Sequence, residues 1–305
     1  MTEISIFNEV ACEVGESPIW HPLLQQLAWV DATKGVIYSS GGGELRTPIR
    51  KVHSHIGSIG PTSDGFVIAA GDKLFRWCVS DDSMRCLSTV NHRSQGVFLN
   101  DGKCDNEGNY VCGSATFAED SRFTAKIWLF HPDGRHVEIL DGISIANSIC
   151  FSPAYDIIYI GDSASGRIDA FEYDASGGKL RNRVLTIDCK AETGSMPDGA
   201  TVDEYGNIWV ALVETGQLAC FDSSGHLQVK IDLPVPHPTC PAFGGQQFTS
   251  VFVTSLSTFP DGSKSIAKNS GRLIEIHALG VCGRPEPLFG ASRQMNCEPA
   301  AIDDE

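Results

Sequence analysis

Positive charge is scarce in this chain of 305 residues: 23 Lys and Arg stand against 38 Asp and Glu, a formal net charge of −15. A surface of that sign repels polyanions, so DNA, RNA and anionic membranes are not expected as partners. Long apolar runs are absent too, since none approaches the roughly 18–20 residues that cross a bilayer. The opening M-T-E-I-S-I-F-N-E-V has neither the basic region nor the apolar core of a secretory signal. Eleven cysteines are present, but the number is odd and no C-x-x-C pair occurs. Several sit inside apolar runs (Cys78, Cys112, Cys150, Cys220), where a reduced thiol serves as a small hydrophobe. These features predict a reduced, cytoplasmic protein rather than a disulfide-stapled secreted one. Catalytic signatures are missing as well. There is no G-x-S-x-G nucleophile elbow, no P-loop, no dinucleotide fingerprint, no H-E-x-x-H and no zinc-finger spacing among the nine histidines. Serine-triad hydrolysis, ATP use, hydride transfer and tetrahedral zinc therefore have no support. His237, in P-V-P-H-P-T-C-P, reads as a surface residue of a proline-rich loop.

What the chain does have is an internal repeat. Pro18, Pro61, Asp101, Ser148, Gly199 and Pro241 recur at roughly 40–50 residues, the period of β-propeller blades. After each comes a short strand, a turn rich in Asp, Asn and Gly, and a second strand. Examples of the turns are Asp64-Gly65, Asn106-Glu107-Gly108 and Asp203-Glu204-Tyr205-Gly206, which accept the backbone angles of tight hairpins. Third and fourth apolar stretches follow, as in Ile127–His131 and Val137–Leu140. Helical periodicity is almost absent. The pattern predicts an all-β, six-bladed β-propeller with four antiparallel strands per blade, closed into a ring by the N-terminal run Ile4–Val10. The last unit contains Ser250–Thr254, Gly271–His277 and Glu286–Phe289 as candidate strands. No linker or composition shift divides residues 1–305, so a single domain is expected.

Four oxygen-bearing side chains, Glu16, Asn100, Asn147 and Asp198, fall at nearly the same point of the repeat, where a Gly- or Pro-marked loop enters an apolar run. Radial arrangement brings such positions to one axis. Three or four of them form a cage for a hard divalent cation, which prefers oxygen ligands. Each also has an ordinary reading, as a solvated strand-entry acid (Glu16) or a turn former (Asn100-Asp101-Gly102-Lys103, Asn147, Asp198-Gly199). Shared repeat phase favours the site. Asn100 reaches the axis beside the cation, and Asp101 braces the loop.

The segments 15–31 (G-E-S-P-I-W-H-P…L-A-W-V-D), 100–109 (N-D-G-K-C-D-N-E-G-N), 146–163 (A-N-S-I-C-F-S-P…I-Y-I-G-D-S), 197–211 (P-D-G-A-T-V-D-E-Y-G-N-I-W-V-A) and 238–255 (P-T-C-P-A-F-G-G…V-F-V-T-S) occur in fixed order. In them the chain resembles the gluconolactonase/regucalcin/luciferin-regenerating-enzyme family of six-bladed propellers. That resemblance implies one catalytic divalent cation held by Glu16, Asn147 and Asp198, with Asn100 and the following Asp101 on the substrate side. It also implies an intracellular lactonase acting on sugar lactones or related cyclic esters. Many sugar-lactonase members carry an Arg two residues before that Asn, where this chain has Phe98. An aromatic ring donates no hydrogen bonds to sugar hydroxyls, so Phe98 either stacks on an apolar ring or fills core. The segment Thr116–Ala125 occupies the place of the family's entrance loop, with Glu119, Arg122 and Phe123 as candidates for specificity.

The expected chemistry is hydrolysis of a lactone, with a divalent cation stabilising charge on the carbonyl oxygen and either Asp198 taking a proton from the attacking water or a metal-bound hydroxide attacking directly. Ca²⁺, Mg²⁺ and Mn²⁺ suit oxygen-only ligation, and Zn²⁺ is also compatible with an open site. Two alternatives stand beside it: an esterase or phosphotriesterase-like hydrolase, and a non-enzymatic calcium-binding propeller. The expected partner is a small lactone, and the expected state a monomer or weak homodimer.

Overall fold

The computed structural model describes residues 3–41, 44–91, 96–118, 120 and 122–291. Among them 24 strands, numbered β1–β24 along the chain, form six four-stranded antiparallel sheets. Six strands each begin a blade: β2 (Gly15–His21), β6 (Ile56–Pro61), β10 (Phe98–Cys104), β14 (Ala146–Phe151), β18 (Pro197–Val202) and β22 (Pro238–Gly244). Each packs on the next in that order, and β22 returns to β2, so the blades close around an axis that these six strands line.

Side-chain character changes with distance from the axis. Inner strands are rich in small residues (I-G-S-I-G-P in β6, P-D-G-A-T-V in β18), because six backbones converge there. Second strands such as β7 (Gly65–Ala70), β19 (Ile208–Leu212) and β23 (Ser250–Ser255) are buried throughout, and β7 and β19 read as unbroken apolar runs. Outer strands such as β17 (Lys179–Ile187) and β21 (Leu227–Asp232) face solvent and carry Lys, Arg, Gln and Asp. Six clusters of buried side chains lie between adjacent blades. In one of them Ile19 and Val30 of the first blade meet Ile59, Phe66 and Trp77 of the second.

The ring closes as the sequence predicts. β1 (Glu3–Ala11) pairs antiparallel with β24 (Arg272–His277), with Glu3 opposite His277 and Ile6 opposite Ile274, and becomes the outermost strand of the sixth blade. Glu286–Phe289 does not form a strand of that blade, contrary to the expectation. Pro285 and Pro287 remove two backbone donors from the segment, which suits it poorly to a ladder. It instead runs past the ends of inner strands, where Phe289 N–H donates to the Pro61 carbonyl at 2.8 Å. There Phe289 makes an isolated bridge to Thr62 and is buried among side chains of the second and third blades. Glu286 pairs with Lys103 at 3.6 Å.

Candidate metal and substrate site

The group forms where the inner strands start. In each, the pairing with the second strand shifts register at this level: between Glu16 and Ile19, Ile56 and Ser58, Leu99 and Gly102, Asn147 and Cys150, Pro197 and Ala200, and Pro238 and Pro241. Such bulges bend a strand and re-aim its side chains. Ser17 (φ 48°) and Ser148 (φ 51°) adopt left-handed backbone at two of them, an uncommon conformation for non-glycine residues. Asn100-Asp101 and Asp198-Gly199, whose ordinary reading was a turn, are therefore bulged positions within strands.

A belt of hydrogen bonds ties one inner strand to the next at the same level. Ile59 N–H donates to Ser17 Oγ (2.9 Å), Ser58 Oγ donates to the Asn100 carbonyl (2.6 Å), and Ile149 N–H donates to Asp101 Oδ2 (2.8 Å). Ser148 Oγ donates to the Asp198 carbonyl, and Thr239 Oγ1 donates to the Gly15 carbonyl at 2.5 Å. At the remaining junction Gly199 lies against Cys240, and a Cβ on Gly199 would stand 2.4 Å from the Cys240 sulfur. Asp101 thus braces one blade against the next rather than bracing a loop.

Inside this belt the candidate side chains join. Asn100 Nδ2 donates to Asn147 Oδ1 (3.0 Å) and to the Ala146 carbonyl (2.9 Å). Asn147 Nδ2 donates to Asp198 Oδ1 (2.8 Å) and to Ser163 Oγ (2.8 Å), whose own hydroxyl donates to the Pro197 carbonyl (2.7 Å). Asn147 is buried, while Glu16, Asn100 and Asp198 are partly open. Glu16 Oε2 accepts the Ser17 N–H at 3.1 Å. Burial first, and then the Asp198 and Asp101 carboxylates, push the Glu16 carboxyl well above the usual range. Burial and then Asp101 do the same to Asp198. Asp101 is also raised by burial, against the opposing pull of Lys103. No cationic side chain figures among the main influences on Glu16 or Asp198.

That donor set suits a hard dication. Among the described residues no three His, Cys, Asp or Glu side chains gather as a metal centre, so the third donor here has to be an amide. An amide oxygen carries two lone pairs, and Asn147 Oδ1 can accept from Asn100 and still offer one. The two crowded carboxylates lack a countercharge, which a doubly charged ion provides.

Phe98 lies at the start of β10, two residues before Asn100. Its ring meets His55 (centroids 4.5 Å apart, interplanar angle 63°) and Phe117 (5.8 Å, 40°). His55 gave no signal in the sequence, because nothing in K-V-H-S-H-I places it beside residue 98. Ser163 was missed for the same reason. Phe123 is 58% exposed and Arg122 sits over its ring at 5.6 Å. Glu119 lies outside the described residues. His237 donates from Nδ1 to the Val213 carbonyl (3.1 Å) and packs on Phe259, so it is half-buried rather than free at the surface. A small pocket lined in part by Lys103, Thr201, Arg284 and Glu286 lies at the opposite end of the inner strands and not at the carboxylate–amide group. The ten described cysteines are free, and no described helix is long and apolar enough to cross a membrane.

The family described as SMP-30/Gluconolactonase/LRE-like region matches residues 14–257. Regucalcin of Xenopus laevis is 29% identical over 284 residues, spanning 91% of this chain and 95% of that protein. Regucalcin of Bos taurus is 30% identical over 284 residues, with 90% and 94% covered. Among solved structures, luciferin-regenerating enzyme superposes with a TM-score of 0.86 at 24% identity over 95% of this chain and 100% of that one. A regucalcin of Agrobacterium tumefaciens, described as a calcium-binding protein, gives 0.83 at 24% identity over 94% and 97%. At these identities the structural likeness establishes the shared fold.

Proposed function

The chain belongs to the SMP-30/gluconolactonase/LRE-like family, and from that premise we propose that it is a divalent-cation-dependent lactonase. The observation that carries this reading is the hydrogen-bonded chain Asn100–Asn147–Asp198 beside Glu16, with two crowded carboxylates and no cationic side chain to balance them. Glu16, Asn147 and Asp198 would hold the ion. When bound, a divalent cation polarises a carbonyl oxygen and lowers the pKa of water.

The side chains supply the rest. Asn147 and Asn100 form a fixed pair of amides: both Nδ2 protons of Asn100 are spent on Asn147 Oδ1 and the Ala146 carbonyl, so its Oδ1 is left to accept from the attacking water and orient it without rearrangement. Asn147 Nδ2 holds Asp198 Oδ1, which fixes the plane of that carboxylate. Asp198 takes the proton of the attacking water and returns it to the ring alkoxide oxygen as the ester C–O bond breaks. Ser163 keeps Asn147 in place by accepting from its Nδ2. The reduced thiols fit a cytoplasmic location.

A second reading, cation binding without hydrolysis, has one specific support: the Agrobacterium tumefaciens protein of the same fold is described as calcium-binding. One experiment separates the two. Metal-stripped protein is given Ca²⁺, Mg²⁺, Mn²⁺ or Zn²⁺ singly and screened by pH indicator against six- and five-membered lactones, with aryl esters and organophosphates as controls. Turnover of a lactone that requires one ion, lost in Glu16→Gln and Asp198→Asn, supports the lactonase. Tight binding of an ion with every lactone untouched supports the second reading and rejects the first.

A further inference from the structure

Resting on the lactonase reading, we propose that His55, Phe98 and Phe117 form the substrate side of the site and select a lactone carrying an apolar, aromatic ring rather than a polyhydroxylated one. The three rings come from two blades and meet in sequence, His55 against Phe98 at 4.5 Å and Phe98 against Phe117 at 5.8 Å. All three stand at the end of the propeller where Asn100 lies. His55 immediately precedes β6, Phe98 opens β10, and Phe117 follows the last residues of β11 (Tyr110–Ala115), whose Ala115 pairs with Phe98. The backbone of β6 next to His55 touches Asn100 directly, since a Cβ on Gly57 would stand 2.5 Å from the Asn100 Cα. The aromatic group and the amide are therefore held in one rigid frame.

Two features mark this group as a binding surface rather than core. Phe117 is 55% exposed, and Phe123, six residues further along the same segment, is 58% exposed with a left-handed φ of 62° that a bulky residue rarely adopts. His55 Nε2 is buried with no hydrogen-bond partner. The fully buried His21 differs: its Nε2 lies 3.0 Å from the Gly65 carbonyl, and its Nδ1 accepts from the backbone N–H groups of Leu23 and Leu24. A buried polar atom without a partner in the free protein is one that a ligand can satisfy. Burial holds the His55 ring neutral, its pKa lowered to about 4, so Nε2 offers a single uncharged contact. Among these three side chains only the two His55 ring nitrogens can form hydrogen bonds. Sugar hydroxyls packed on such a wall would lose their water partners and find at most two replacements, whereas an aromatic ring stacks on it favourably.

Three lactones of the same ring size test this: δ-valerolactone, which is bare, D-glucono-δ-lactone, which is polyhydroxylated, and dihydrocoumarin, which is fused to benzene. Each kcat/KM is divided by the lactone's rate with hydroxide, which removes intrinsic reactivity. The expected order is dihydrocoumarin, then δ-valerolactone, then gluconolactone. Phe117→Ala is expected to raise KM for dihydrocoumarin roughly tenfold more than for δ-valerolactone, and Phe98→Arg to shift the preference towards gluconolactone. His55→Phe keeps the ring contact with Phe98 and removes the unpartnered nitrogen. It is expected to raise Tm while raising KM for dihydrocoumarin. Gluconolactone ranking first, or Phe117→Ala weakening all three lactones equally, overturns the proposal. The lactonase reading fails separately, if none of the three is hydrolysed with any ion. In that case calorimetric titration with chroman, the same fused ring without the ester, still decides: weaker binding to Phe117→Ala than to wild type upholds the subsite, and equal or absent binding rejects it.

Discussion

Gly57 offers a way to move Asn100 without touching it. A Cβ at this position would lie 2.3 Å from the Leu99 carbonyl oxygen, 2.5 Å from the Asn100 Cα and 2.6 Å from the Asn100 carbonyl oxygen. All three are backbone atoms on β10, and the left-handed region is not involved, so Gly57→Ala is penalised by contact alone. Ordinary van der Waals separation requires β10 to retreat by about 1 Å. Overpacking of that size costs roughly 1–3 kcal/mol of stability. Its effect on chemistry is expected to be larger, because Asn100 carries the 3.0 Å hydrogen bond to Asn147 and sits beside Asp198 through it. A 1 Å misplacement of a positioning group lowers turnover about 100-fold, equivalent to about 3 kcal/mol of barrier. Cation affinity should also fall, by roughly 10–100-fold, as it does when a partner of a ligand is lost. The assays are kcat/KM on the best lactone, calorimetric titration of the cation, and Tm by circular dichroism, with kinetics run well below Tm. A folded Gly57→Ala protein within twofold of wild type in both kcat/KM and cation affinity would refute the claim that the β6–β10 contact sets the site.

Further outcomes follow from the same contacts. Glu16→Gln and Asp198→Asn should each lower cation affinity and turnover by at least about 100-fold while leaving the far-ultraviolet circular dichroism unchanged. Acidification should expose His55: its pKa is about 4 in the fold against an ordinary 6.5. The unfolded chain therefore takes up a proton first, and stability is lost as pH falls from about 6.5 towards 4, by up to about 3 kcal/mol. The difference between wild type and His55→Phe in urea titrations at pH 7 and pH 4.5 isolates that contribution, and no difference would contradict it. Asp105→Ala should cost roughly 3 kcal/mol or more by urea denaturation. Its buried carboxylate accepts from Glu107 N, Asn109 N, Asn109 Nδ2 and Tyr173 OH. Activity per folded molecule should survive, because this acid holds a turn and not the site.

Much of this arrangement was legible in the sequence because its signals were periodic. Six anchors at a regular spacing fixed the blades, and the alternation of small, apolar and charged strands followed radial position. Glu16, Asn100, Asn147 and Asp198 could be picked out because each recurs at one phase of the repeat. Contacts made across blades without that phase were not legible. His55 carries no signal of its own in the sequence, and it meets Phe98 only because β6 and β10 pack side by side. Ser163 supports Asn147 from the end of the adjacent strand. The bulges were also hidden, since an Asn-Asp-Gly string fits a turn as well as a kinked strand. Glu286–Phe289 was misread because a short apolar run flanked by prolines has the composition of a strand and lacks its donors.

The pairing of β1 with β24 bears on how the chain is made. Residues 3–11 leave the ribosome long before their partners at 272–277, which emerge only after everything between. During that interval the nascent blades can stack in order, but the first segment has no proper neighbour and the circle stays open. Completion is thus a late, all-at-once event, and the newborn protein passes through a stage in which an apolar N-terminal strand needs shelter from wrong pairings.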